Sequence, residues 1–112
     1  METTQSGAAL LPGTLDMLIL KTVIEGPLHG YGIALQIREL SENVLQVGEG
    51  SLYPALQRLV KKGCLAAEWG VSENKRRARY YKLTPAGRKR LKTEMEEFGR
   101  TIGAIARVMQ TV

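Results

Sequence analysis

The sequence predicts a mainly α-helical fold with one small β-hairpin, and three observations carry the prediction. Apolar residues recur at helical spacing in three segments before Gly63, each closed by glycine, proline or a polar connector. Two short strand-like runs, CLAAEW and ARYYKLT, then flank the polar turn segment GVSENKRR. After Thr84-Pro85 a seven-residue apolar repeat runs to the end of the chain. At 112 residues the chain is long enough for one modest core.

Residues 1–11 are polar and small, then apolar, and are expected to be a flexible lead-in. The first helix is expected after Pro12-Gly13, with Thr14 as cap and Asp16 in the first turn, where the helix dipole favours an anion. Leu15, Leu18, Ile19 and Val23 form its stripe, and Gly26-Pro27 stops it. The second helix is expected from His29 to Leu40, burying Ile33, Ile37 and Leu40. Its opening, HGYG, places two glycines in a first turn, a cost to the helix that lets another backbone approach closely. SENVLQVG then connects, with a short extended piece expected at Val44–Val47.

The third helix is expected from Gly50 to Lys62. Pro54 is tolerated in a first turn, and Gly63 is the stop. Leu52, Leu56, Leu59 and Val60 share one face; Pro54, Gln57, Arg58 and Lys61 share the other, with Ser51 and Tyr53 at its margins. Helix–helix–helix–hairpin is the order of a winged helix-turn-helix, expected over residues 12–84. In the last helix, residues 85–112, Leu91, Met95, Phe98, Ile102, Ile105, Met109 and Val112 are spaced 4, 3, 4, 3, 4, 3, the pattern of a dimerisation helix. Gly99 and Gly103 lie close to that stripe, so a packed seam is expected rather than a regular zipper.

Charge is distributed unevenly. The net charge is +5, but Tyr53–Lys92 holds 12 of the 16 Lys/Arg residues against only Glu68 and Glu73, a local excess of +10. The first 52 residues carry Lys21 and Arg38 against six acids. One strongly basic side points to a polyanionic partner. Catalytic and metal-binding patterns are missing: His29 is the single histidine, Cys64 the single cysteine, and neither has neighbours at ligand spacing. No enzyme activity, metal or cofactor is therefore expected. A lone cysteine excludes an internal disulfide, the start METTQS lacks a basic leader region, and no apolar run reaches membrane-spanning length, so a cytoplasmic protein is expected.

Double-stranded DNA is the partner this pattern fits. A helix enters the major groove, where Arg58 and Lys61 can reach guanine or phosphate, Gln57 can pair with adenine, and Ser51 and Tyr53 offer hydroxyls, with Pro54 on the same face. At the wing, Asn74, Lys75, Arg76 and Arg77 form the tip and Arg79 follows on the strand, placed to track phosphates or the minor groove. His29 and Tyr31 open the second helix, whose free amides attract a phosphate. The competing readings are structural: Tyr53 as a ring at the core edge, His29 as a hydrogen-bonded scaffold residue, Trp69 and one of Tyr80 and Tyr81 as core. The alternative functions are a winged-helix protein-interaction module, which needs an apolar outer face on the third helix, and an RNA-binding protein, which needs more exposed aromatics than Tyr53 and the tyrosine pair.

LPGTLDMLIL, GPLHGYGIA, EGSLYPALQRLVKKG and RRARYYKLTPAGR together resemble the PadR family of bacterial transcriptional regulators over Leu11–Leu91, and the single terminal helix is similar to its short-tailed subfamily. The resemblance implies a winged helix-turn-helix, a homodimer and usually repression; two paired recognition helices are then expected to take an inverted-repeat operator. It implies that Gly50–Lys62 is the recognition helix and Gly70–Arg79 the wing. The dimer seam is then expected at Leu91, Met95, Phe98, Ile102, Ile105 and Met109, with any small-molecule effector acting through it. Short-tailed relatives that hold flat aromatic compounds do so between tryptophans of that helix. Here Phe98 is its only aromatic residue, and the resemblance does not extend to such a site.

Overall fold

The computed structural model describes residues 13–110; the expectations for residues 1–11 and for Val112 lie outside the described residues. The elements are α1 (Thr14–Thr22), β1 (Leu28–His29), α2 (Gly30–Leu40), α3 (Glu49–Lys61), β2 (Leu65–Val71), β3 (Arg77–Leu83) and α4 (Pro85–Met109). This is the predicted mainly α-helical winged helix-turn-helix, with helix boundaries that agree at Leu40 and Pro85 and are shifted by up to four residues elsewhere. The hairpin is widened to a three-stranded antiparallel sheet of order β1-β3-β2. β1 pairs Leu28 with Tyr81 and His29 with Tyr80. Two residues are too few to show an alternating pattern, which is why the sequence did not reveal this strand.

One core joins all layers. Ile19 and Leu20 of α1, Ile33 of α2, Leu52, Leu56 and Leu59 of α3, Leu65 of β2 and Leu91 of α4 are essentially inaccessible. Each such side chain stabilises the fold by roughly 1.5–3 kcal/mol through removal of apolar surface from water. The α1 stripe turns toward Met17 and Leu20, leaving Leu15 and Leu18 half-buried. Gly13, at φ 86°, occupies the N-cap of α1 in place of the expected Thr14, and α1 ends at Thr22, ahead of Gly26-Pro27. Leu40, expected in the core, is 72% exposed at the last position of α2. Val44–Val47 forms no strand; Glu42 and Asn43 adopt positive φ, and the Ser41 hydroxyl accepts from the Leu45 amide at 2.9 Å, holding a turn there.

α3 begins at Glu49, so Pro54 sits in its second turn rather than the first, on the exposed side. At the other end Gly63 takes φ 76°, with Cys64 N–H donating to the Leu59 carbonyl at 2.9 Å and Gly63 N–H to the Val60 carbonyl at 3.0 Å. That pair of bonds satisfies the last carbonyls and turns the chain into β2. Thr84 then caps α4 as expected. Its hydroxyl accepts from Gly87 N–H at 2.9 Å and donates to the Gly63 carbonyl at 2.6 Å, tying the start of α4 to the end of α3. A Cβ on Gly87 would fall on the Cys64 carbonyl oxygen, so only glycine permits this docking. Among the described residues no helix is long and apolar enough to cross a membrane.

Candidate nucleic-acid interface

The burial of Leu52, Leu56 and Leu59 fixes which face of α3 is turned outward. Ser51, Tyr53, Pro54, Gln57, Arg58 and Lys61 all lie on that exposed side. Arg58 is not a free cation there. Its guanidinium donates to the buried Asp16 carboxylate of α1 at 3.1 Å, while half of its side chain stays accessible. Tyr53 is 41% exposed and leans on α2: a Cβ at Gly30 would come within 2.8 Å of its hydroxyl oxygen. The first glycine of HGYG therefore admits a side chain, the Tyr53 ring, where the sequence pointed to the approach of another backbone. Arg79 of β3 faces the same side and, with Gln57, Arg58 and Lys61, lines a groove between α3 and the sheet.

The wing tip is a tight turn. Lys75 N–H donates to the Ser72 carbonyl and Ser72 N–H to the Arg76 carbonyl, both at 2.8 Å, with Lys75 in the left-handed region at φ 58°. This is a three-residue hairpin loop, Glu73–Lys75, with its last residue in the conformation that such loops require. Asn74, Lys75, Arg76 and Arg77 are exposed on it. Glu73 is the exception to the positive charge. Its carboxylate lies 3.7 Å from His29 Nε2. A hydrogen bond from its own backbone, and then the neighbouring His29 ring, hold it below the ordinary carboxylate value of 4.5.

His29 takes the scaffold role. Its Nδ1 accepts from Gly32 N–H at 3.0 Å, capping α2, and its ring meets Tyr80 edge-on at 5.3 Å between centroids. Tyr31 is 68% exposed beside it. The two tyrosines of β3 divide as alternation requires: Tyr81 is buried, and Tyr80 lies over Gly70 and donates to the Val71 carbonyl at 3.2 Å. Burial raises the Tyr81 phenol above its ordinary 10.0, against the opposing pull of Arg79. Trp69, expected in the core, is instead 58% exposed, with the Arg77 guanidinium carbon 4.5 Å from its ring centroid. It overhangs because β2 continues past the body that covers Leu65. A cleft of about 730 Å³ joins β1 (His29), α2 (Tyr31), α3 (Tyr53) and the wing (Trp69, Arg76, Arg77). Among the described residues no cluster of His, Cys, Asp or Glu could hold a metal ion.

The expected seam on α4 divides in two. Leu91 is 2% exposed and belongs to the chain's own core, so it is withdrawn from the seam; α4 lies over the body at that point. Met95, Phe98, Ile102, Ile105 and Met109 are all left accessible to water, from 37% at Phe98 to 71% at Met109.

A model of the transcriptional regulator PadR-like family matches residues 19–93. A transcriptional regulator of Mycobacterium tuberculosis is 37% identical over 87 residues, which cover 75% of this chain and 78% of that protein. The solved structure of a transcriptional regulator from Clostridium thermocellum is similar with a TM-score of 0.77 at 37% identity, over 85% of this chain and 92% of that one. That of a PadR family transcription regulator from Clostridium difficile is similar with a TM-score of 0.74 at 29% identity, over 87% and 99% of the two chains. The chain thus belongs to the PadR-like family of DNA-binding transcriptional regulators.

Proposed function

We propose that the protein is a homodimeric repressor that binds an inverted-repeat DNA operator. The observation that carries the reading is the division of exposed surface: polar and basic on α3 and the wing, apolar along the outer half of α4. The winged helix-turn-helix that ends at Thr84 forms the DNA-binding unit and α4 the pairing helix. Gln57 and Lys61 read base edges, Ser51, Tyr53 and Tyr31 contact the backbone, and Lys75, Arg76 and Arg77 follow phosphates. Arg58 offers the donors that Asp16 leaves free. Pairing through Met95, Phe98, Ile102, Ile105 and Met109 presents two α3 helices to successive major grooves, ~34 Å apart. The bound dimer then blocks polymerase. A stripe of this kind left in water is what pairing helices cover.

The test is selection from a pool of random duplex DNA at physiological salt, followed by sequencing of the retained molecules. An enriched inverted repeat is expected. Recovery of no motif, with binding lost at moderate salt, would reduce the basic face to a non-specific electrostatic surface.

A further inference from the structure

We propose that Trp69 is a positioning residue for DNA binding, its indole holding the Arg77 guanidinium in the cleft between wing and α2 for contact with a phosphate. The inference rests on the DNA-binding reading above. Along β2 the residues Leu65, Ala67, Trp69 and Val71 share one face, by the two-residue alternation of a strand. Leu65 is buried and Ala67 half-buried, but Trp69 and Val71 are 58% and 69% exposed, because the strand outruns the core. The chain's single tryptophan thus stands in water, where core packing does not account for it.

What the ring touches does account for it. In the hairpin register Trp69 lies opposite Arg79 and Val71 opposite Arg77, so Arg77 is the diagonal neighbour of the indole. Its guanidinium carbon sits 4.5 Å from the ring centroid. Arginine is rich in rotamers, and a free one on a wing must be ordered when a ligand arrives. A guanidinium attracted to a ring face is ordered beforehand and keeps its in-plane N–H donors for an anion. Arg76 and Arg77 line the cleft together with Tyr31 and Tyr53, and Glu73, whose side chain also lines it, faces His29. The chemistry that fits is a sugar–phosphate strand running between α2 and the wing, rather than a base edge.

The test is a double-mutant cycle on binding of the full chain to a labelled mixed-sequence DNA duplex, read by fluorescence anisotropy over a range of salt. Trp69→Ala should weaken binding about two- to fivefold, the size of a surface cation–π contact. Arg77→Gln should lower the salt slope by about one unit. In the Arg77→Gln background, Trp69→Ala should cost nothing more. Trp69→Phe should retain most of the affinity, and Trp69→Leu, which preserves apolar packing without a ring, should behave as Trp69→Ala. Equal losses in both backgrounds, full affinity in Trp69→Leu, or no loss in Trp69→Ala would overturn the positioning role while leaving DNA binding intact. Failure of the parent chain to bind the duplex at all would remove the DNA reading and this proposal together.

Discussion

The buried Asp16 carboxylate of α1 accepts a hydrogen bond from the Arg58 guanidinium of α3 at 3.1 Å, across 42 residues of chain. The pair is asymmetric: the Asp16 side chain is 10% exposed and that of Arg58 52%. Removing Arg58 therefore leaves a carboxylate that has neither its partner nor most of its water. Arg58→Ala should destabilise the fold by about 1–3 kcal/mol in urea titration. Asp16→Ala combined with Arg58→Ala should cost less than the sum of the two single changes. Additive losses would mean that the two side chains are energetically independent.

Gly87 allows α4 to dock on the turn after α3. Helix propensity alone favours alanine over glycine at this position by roughly 0.5–1 kcal/mol. Gly87→Ala should nevertheless destabilise the protein, by about 1–3 kcal/mol or more, because its methyl group meets the Cys64 carbonyl. Thermal melting of the variant checks this; a raised melting temperature would show that the docking is looser than described.

Leu91 and the outer residues of α4 should respond differently to substitution. Leu91→Ala opens the protomer core and should cost about 2–5 kcal/mol of stability. Ile102→Glu with Ile105→Glu should leave the protomer folded by circular dichroism and yield a monomer in sedimentation. A tight dimer in that double variant would place the pairing surface elsewhere.

The wing and α3 should separate affinity from sequence preference. Neutralising Lys75, Arg76 and Arg77 to glutamine should weaken binding to all duplexes and lower the salt slope by about one unit for each phosphate no longer neutralised. Gln57→Ala should instead change which sequence is selected, with little effect on that slope. An unchanged slope in the triple variant would take the wing tip off the phosphates.

Tyr81 links stability to alkaline pH. Burial raises its phenol above the ordinary 10.0, so as pH climbs through that value the unfolded chain ionises first. The native state then holds the extra proton, and stability present below that pH declines until the folded phenol also ionises. Tyr81→Phe should flatten this part of the stability profile. Denaturant titrations on either side of that pH, compared between the two proteins, measure it.

Several features needed nothing beyond their own segment of chain. Thr84-Pro85 announces a helix start, Gly63 a helix end and Ser72–Arg77 a turn, because caps, left-handed glycines and tight turns bond within a few residues. The outward face of α3 was legible for a related reason: leucines at positions 52, 56 and 59 must all be buried, and the helical period then turns Gln57 and Lys61 to water. The uneven charge along the chain pointed to a polyanion before any geometry was known.

Tertiary structure decided whatever depends on which distant segment covers a side chain. The same heptad repeat contains Leu91 and Ile102, yet one is sealed by the body of the protein and the other is not. Trp69 has the composition of a core residue but lies where β2 has outrun its cover. Asp16 looked like a helix-dipole anion and is the buried partner of Arg58, and β1 exists only because β3 offers it an edge. Periodicity states which residues share a face. Burial depends on what lies opposite that face, and the covering segment comes from far along the chain, 42 residues away in the case of Arg58 and Asp16.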